Sequence, residues 1–211
     1  MQSVGRGTLL IGMAVLVSDP PESLAAEGLP HKVWTRPEVE VLESSGLFAG
    51  EHFELIDGEL IDKMGKKRSH VVATKSVAAA LAAIFGADYV EQEAPIDVAS
   101  GDNPRNEPEP DVVVLRRRSR EIDGNPRPSD VALVVEIADT TLRYDLTTKA
   151  ALYARAGIPE YWVLDVNGRR LLVRREPVDG SYRLTLEFGE ADWAAPLDRP
   201  SATMAVASLL P

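Results

Sequence analysis

Asp111, Glu136 and Lys149 are the residues whose types and placement could do chemistry together. Asp111 ends the proline-rich approach Glu107-Pro108-Glu109-Pro110 and opens the apolar run Val112 to Leu115, which reads as a short buried strand. Glu136 lies near the end of Val131 to Ala138, otherwise apolar and β-branched enough for a central strand, where a bare carboxylate is poorly tolerated. Lys149 follows in Tyr144-Asp-Leu-Thr-Thr-Lys149, on a helix that runs to the stop Gly157-Ile158-Pro159. Two acids and a lysine on consecutive elements suit metal-dependent hydrolysis of a phosphodiester. A hard cation such as Mg²⁺ needs only one or two carboxylates besides waters and a substrate phosphate. It acidifies a bound water and steadies the phosphoryl charge. A lysine beside it can position the attacking water and stabilise the transition state. Each residue also has a plain structural role open to it. Asp111 could serve only as a strand-entry residue after proline, and Lys149 as the partner of Asp145 in a solvated i, i+4 helix pair.

The elements that must carry these residues can be read from Trp34 onward. Thr35-Arg36-Pro37-Glu38 predicts a capped helix start with proline in the first turn, ending near Gly46. His52 to Asp62 predicts two short strands around Asp57-Gly58, a strong hairpin signal. With a two-residue loop, Ile56 pairs with Glu59 and Leu55 with Leu60, which puts Glu54 and Glu59 on one face. Ser69 to Phe85 has a helical apolar stripe, with His70 in its first turn able to meet a phosphate or a carboxylate but more simply read as structural. Tyr89 to Val98 predicts the next strand. Asp139, Thr140 or Thr141 can cap the helix that carries Lys149, and Gly157 can close it with Ile158 folding back on Tyr153. Glu160 to Asp165 then reads as a buried strand, and Arg169 to Arg175 with Ser181 to Phe188 as a hairpin around Asp179-Gly180. Arg116, Arg117, Arg118 and Arg120 start a Gly- and Pro-containing connection; they could touch a phosphate backbone or form a solvated loop. No glycine-rich phosphate loop, cysteine nucleophile or zinc-spaced histidine set occurs.

Composition narrows the class. The chain has 211 residues, 45% of them apolar, which suits one globular domain. The absence of cysteine excludes disulfides and thiolate metal sites and makes a reducing cytoplasm the default. With 33 acids against 23 bases, the net charge of −10 argues against coating nucleic acid with the whole surface, though a local basic lip remains compatible with it. Thr8 to Val17 is an apolar run too short to span a bilayer. A signal peptide with cleavage near Leu24-Ala25-Ala26 is one reading. A lead without fixed structure over residues 1–33, with Met13 as an alternative initiator, is preferred.

The order from 69 to 165, helix, three strands, helix, strand, with acids at the ends of the middle strands, resembles the PD-(D/E)xK restriction-endonuclease fold. Glu54-Leu-Ile-Asp-Gly-Glu59, His70, Pro110-Asp111, Val135-Glu136-Ile137, Asp145-Leu-Thr-Thr-Lys149 and Gly157-Ile-Pro-Glu-Tyr-Trp-Val-Leu-Asp165 together resemble the Uma-two family of bacterial restriction-endonuclease-like nucleases, over about Trp34 to Phe188. The resemblance implies that Asp111 is the aspartate of the PD element and Glu136 the acid of the (D/E)xK element, both on metal. Two positions beyond Glu136 stands Ala138, so the resemblance implies that the lysine role has moved to Lys149. Glu59, ahead of Glu54, resembles the additional upstream acid. Members of the fold place that acid on the first core helix, whereas Ser69 to Phe85 contains none.

The expectation is therefore a single α/β domain over residues 34–211, with a restriction-endonuclease-like core, an added N-terminal helix and hairpin, and a C-terminal hairpin. It would be a Mg²⁺- or Mn²⁺-dependent endonuclease acting on DNA, with no membrane partner and with homodimerisation an option. Asp111, Glu136, Lys149 and Glu59 would be catalytic, and Glu54, His70 and Asp145 supporting. Lys66, Lys67, Arg68, Arg116, Arg117 and Arg118 would meet the DNA backbone. A non-catalytic interaction module that keeps the fold is the main alternative. A carboxylate-based glycosidase is the weaker one, since aromatics make up only 6% of residues.

Overall fold

The computed structural model describes residues 31–63 and 65–211. Of the lead expected over residues 1–33 only residues 31–33 are described; the rest of it, the signal-peptide alternative and a start at Met13 fall outside the described residues. Helix α1, Arg36–Ser44, begins where expected, and Glu38 Oε2 reaches back to accept from the Thr35 backbone N–H at 3.0 Å. Strands β1, Phe53–Ile56, and β2, Glu59–Asp62, form a separate antiparallel hairpin with the expected register, Ile56 opposite Glu59 and Leu55 opposite Leu60. Its turn needs two left-handed residues, Asp57 (φ 51°) and Gly58 (φ 81°). A side chain at Gly58 would also collide with Val33, because Trp34 N–H donates to the Gly58 carbonyl at 2.8 Å and brings the N-terminal strap against the turn.

Helix α2, Arg68–Phe85, leads into a six-stranded sheet of spatial order β3-β4-β5-β6-β7-β8. Its strands are β3 (Val90–Glu91), β4 (Val112–Leu115), β5 (Val131–Ala138), β6 (Glu160–Asp165), β7 (Arg170–Val178) and β8 (Ser181–Gly189). All neighbours run antiparallel except β5 and β6, a parallel pair that needs a crossover. The crossover is α3 (Leu142–Tyr144), a π-helical turn over Asp145–Lys149, and α4 (Ala150–Arg155). A Schellman closure ends it: Ile158 N–H donates to the Tyr153 carbonyl at 3.1 Å, with Gly157 left-handed at φ 73°. Two-residue strands β9 (Trp193–Ala194) and β10 (Met204–Ala205) pair with each other near the C-terminus.

Alternation along the central strands sends side chains to two cores. Val112, Val114, Val135 and Ile137 pack with Ala73, Val77 and Leu81 of α2. Val113, Val134, Tyr161 and Val163 pack with Tyr153 and Ala154 of α4. This mixed α/β architecture is the one expected from the sequence. The strand expected over Tyr89 to Val98 is shorter. Only Val90 and Glu91 pair with β4, because Glu93 turns left-handed (φ 51°) and Pro95 has no N–H to donate. No helix among the described residues is long and apolar enough to cross a membrane.

Candidate active site

Register brings the two central acids together. β4 and β5 are antiparallel with Val112 opposite Val135, so Asp111, just before β4, lies beside the segment of β5 that carries Glu136, and its Oδ2 accepts from Ile137 N–H. The Glu136 face of β5, shared with Val134 and Ala138, looks toward the crossover helix, and Lys149 arrives from there. Its ammonium lies 3.0 Å from Glu136 Oε1 and 2.8 Å from Glu54 Oε1, with all three side chains only 4% exposed. Tyr153, one turn beyond Lys149, donates its hydroxyl to the same Glu136 oxygen at 2.9 Å. Glu136 is thus fixed through Oε1, while Oε2 has no hydrogen bond among the described residues. Its carboxylate borders a cavity of about 200 Å³ that Glu54, Asp111, Asp145 and Lys149 also line.

Asp111 is held from three sides. Oδ2 accepts from Ile137 N–H at 2.8 Å; Oδ1 is 3.0 Å from His70 Nε2 and 3.4 Å from Lys66 Nζ. Burial opposes its charge, but the hydrogen bond and charge of His70, the Lys63 ammonium and the Ile137 N–H outweigh it and hold the carboxyl well below the usual range. Glu136 goes the other way: burial, then the neighbouring Asp111, Asp145 and Glu54, push it up to about 8 against the pull of Lys149. Burial works against a charged Lys149, yet Glu136 and Glu54 raise its pKa, so it stays an ammonium. Asp145 is pushed up to about 6, chiefly by burial, with Thr141 Oγ1 donating to its Oδ2 at 2.6 Å. The solvated pair of Asp145 and Lys149 is not what forms: both are buried. The π-turn between them adds a residue to the helical repeat, as is common where a helix serves a site.

The hairpin supplies the remaining acid. Glu54 is anchored by Glu109 N–H on Oε2 at 3.2 Å, with Lys63 Nζ 3.9 Å from the same oxygen, leaving Oε1 for Lys149. Glu59 has the expected register but sits exposed beside the turn and does not border the cavity. The acid beside Lys149 is therefore Glu54, two residues from the position opposite Glu59. His70, Asp145, Lys66 and Lys67 border the cavity as well; Arg68 does not. Arg116, Arg117 and Arg118 also lie away from it, paired with Asp198, Asp130 and Asp88. They follow β4 where Asp111 precedes it, so the strand's length, about 13 Å, separates them from the acids. Sequence reasoning passed over Tyr153 and Lys63. The signal for Tyr153 was its spacing of four from Lys149 on one helix face.

Among the described residues no group of three or more His, Cys, Asp or Glu side chains is preassembled around a metal position. The donors at hand still fit a hard cation. Asp111 and Glu136 offer carboxylate oxygens, and the cavity has room for several waters, which Mg²⁺ keeps in its shell.

Residues 37–207 match the Uma2 family, described as "Putative restriction endonuclease". The chain belongs to that family. The Uma2 match covers α1 through the C-terminal strands, so the hairpin with Glu54 and the crossover with Lys149 both fall inside it. No curated protein matches this Uma2 chain. Among solved structures, a crystal structure described as a putative nuclease belonging to DUF820, from Anabaena variabilis, superposes with a TM-score of 0.55 at 15% identity, covering 74% of this chain and 88% of that one. At that identity the likeness speaks for the fold, and the fold is that of a nuclease-like α/β domain.

Proposed function

We propose that the chain is a nuclease that hydrolyses DNA phosphodiester bonds with Mg²⁺ or Mn²⁺. The observation that carries this reading is the fixing of Glu136 by Lys149 and Tyr153 through one oxygen, near Asp111 at the entry to the adjacent strand, at the wall of a cavity. Asp111 and Glu136 would hold the cation, which when bound acidifies water and offsets phosphoryl charge. Lys149 has three N–H donors and spends two on Glu54 and Glu136. The third is left to orient the attacking water or a phosphoryl oxygen. Because its carboxylate neighbours keep it protonated, its part is positioning and charge stabilisation, not proton abstraction. Glu54 takes the upstream acid's part by holding Lys149. Lys63, Lys66 and Lys67 border the cavity and give a locally basic approach for phosphate despite the net charge of −10. A cysteine-free chain acting on DNA suits the cytoplasm.

The test is cleavage of plasmid DNA with Mg²⁺, Mn²⁺ or a chelator, by the parent and by Glu136→Gln. Metal-dependent nicking that Glu136→Gln abolishes is expected. DNA binding without cleavage in any metal would turn the reading toward a non-catalytic interaction module.

A further inference from the structure

Asp111 already has side-chain partners at the place where a metal ligand should be open. His70 and Lys66 both approach Oδ1, at 3.0 and 3.4 Å, and the Ile137 N–H occupies Oδ2. Lys66 is divided. Its ammonium is closer to Glu93, 2.7 Å from Oε1, than to Asp111. The Glu93 side chain is 42% exposed against 6% for Asp111, so Lys66 stands between an outer acid and an inner one. Glu93 holds that outer place in a left-handed conformation uncommon for a residue with a side chain, its N–H tied to the Pro110 carbonyl at 3.1 Å, one residue before Asp111. A divalent cation on Asp111 and Glu136 would come within a few ångströms of the Lys66 ammonium, and like charges repel strongly where water is scarce. Lys66 would have to withdraw, either to Glu93 or to an anion entering the cavity. A DNA phosphate is such an anion, and Lys66 and the exposed Lys67 both border the cavity it would enter.

We propose that Lys66 is a displaceable counter-ion of Asp111, parked between Asp111 and Glu93, which substrate phosphate draws away so that DNA and the divalent cation bind cooperatively. The proposal rests on the nuclease reading above. Linkage makes the effect reciprocal: whatever DNA gains for the metal, the metal gains for DNA.

The test uses Mn²⁺ alone, titrated into the full chain and followed by the electron paramagnetic resonance of free Mn²⁺. A fluorescent duplex with phosphorothioate linkages is titrated separately, with Mn²⁺ and with chelator. In the parent, Mn²⁺ should tighten duplex binding about five- to tenfold. Lys66→Ala should bind Mn²⁺ alone several-fold more tightly than the parent, bind the duplex more weakly and lose most of the coupling. Glu93→Gln, which leaves Asp111 as the only acid for Lys66, should bind Mn²⁺ several-fold more weakly. Opposite signs for two neighbouring substitutions separate the device from general damage to the loop. Equal Mn²⁺ affinities in the three proteins, or shifts in the same direction, overturn the inference while a parent that binds Mn²⁺ and cuts DNA keeps the nuclease reading. A parent that binds no Mn²⁺ removes both.

Discussion

Removing the Lys149 ammonium should damage stability and chemistry together, and the stability loss should depend on pH. Lys149→Ala leaves Glu54 and Glu136, each 4% exposed, facing each other without the cation that lies 2.8 and 3.0 Å from them. Breaking a buried ion pair from one side costs about 3–5 kcal/mol, because the remaining charge is left uncompensated. For a domain of this size, 1 kcal/mol moves Tm by roughly 2–4 °C, so a fall of about 6–20 °C is expected near pH 8. Glu136 can relieve the strain by taking up a proton. Without Lys149 its folded-state pKa rises further above the ordinary value of 4.5. A raised carboxyl leaves its stabilisation intact below the unfolded value and loses it as pH climbs through the folded value. The gap in Tm between parent and variant should therefore be small near pH 4.5 and widest above pH 8. Calorimetry across that range, with single-turnover cleavage at a temperature where the variant remains folded, measures both effects; the rate should fall about 10²-fold or more. A Lys149→Ala protein with parental Tm at pH 8 and parental cleavage would refute the buried triad and its proposed role at once.

Three other outcomes follow from the same geometry. Tyr153→Phe keeps the ring against Tyr161 but removes one of two donors from Glu136 Oε1, which should cost about 1–2 kcal/mol in thermal unfolding and lower the cleavage rate roughly tenfold. Mn²⁺ affinity should rise with pH through about 8, because a proton on Glu136 must leave first; titration at pH 6.5 should show roughly twentyfold weaker binding than at pH 8.5, and a flat profile would contradict an elevated Glu136. Glu59→Ala should change stability by less than about 0.5 kcal/mol and leave cleavage intact, whereas Glu54→Gln should slow it markedly; equal effects would return the upstream role to Glu59.

Much of this site could be read in the chain because its acids lie where local rules are strongest. A carboxylate in Val131–Ala138 has no cheap place in a central strand, and the Asp57-Gly58 turn fixed the hairpin register one residue at a time. Register alone could not rank Glu54 against Glu59, since both point to one face and only docking against Lys149 and Glu109 separates them. The π-turn leaves no mark in a pattern of apolar residues, so the approach of Lys149 to two carboxylates was legible as a residue type on a helix but not as geometry. The strand beyond Glu91 failed for a local reason, the left-handed Glu93 and Pro95, and that departure carries the backbone past Lys66. The arginines after Leu115 suggested a phosphate contact by charge alone, although the length of β4 already put them at its far end.

The β1–β2 hairpin stands outside the six-stranded sheet, yet it delivers one of the two carboxylates that grip Lys149. It is fastened by a short stitch: the Leu55 and Glu107 backbones exchange hydrogen bonds, Gly58 N–H reaches the Arg105 carbonyl at 2.8 Å and Asp57 N–H reaches Asn106 Oδ1 at 2.8 Å. A small unit held this way opens more readily than the central strands, and amide exchange should report it as a separate cooperative patch. Each opening would carry Glu54 away and admit water to Lys149, so the lifetime of the competent site is the lifetime of a seam and not of the whole domain. Fastening that seam more tightly should lengthen the working state without any change to the residues that face substrate.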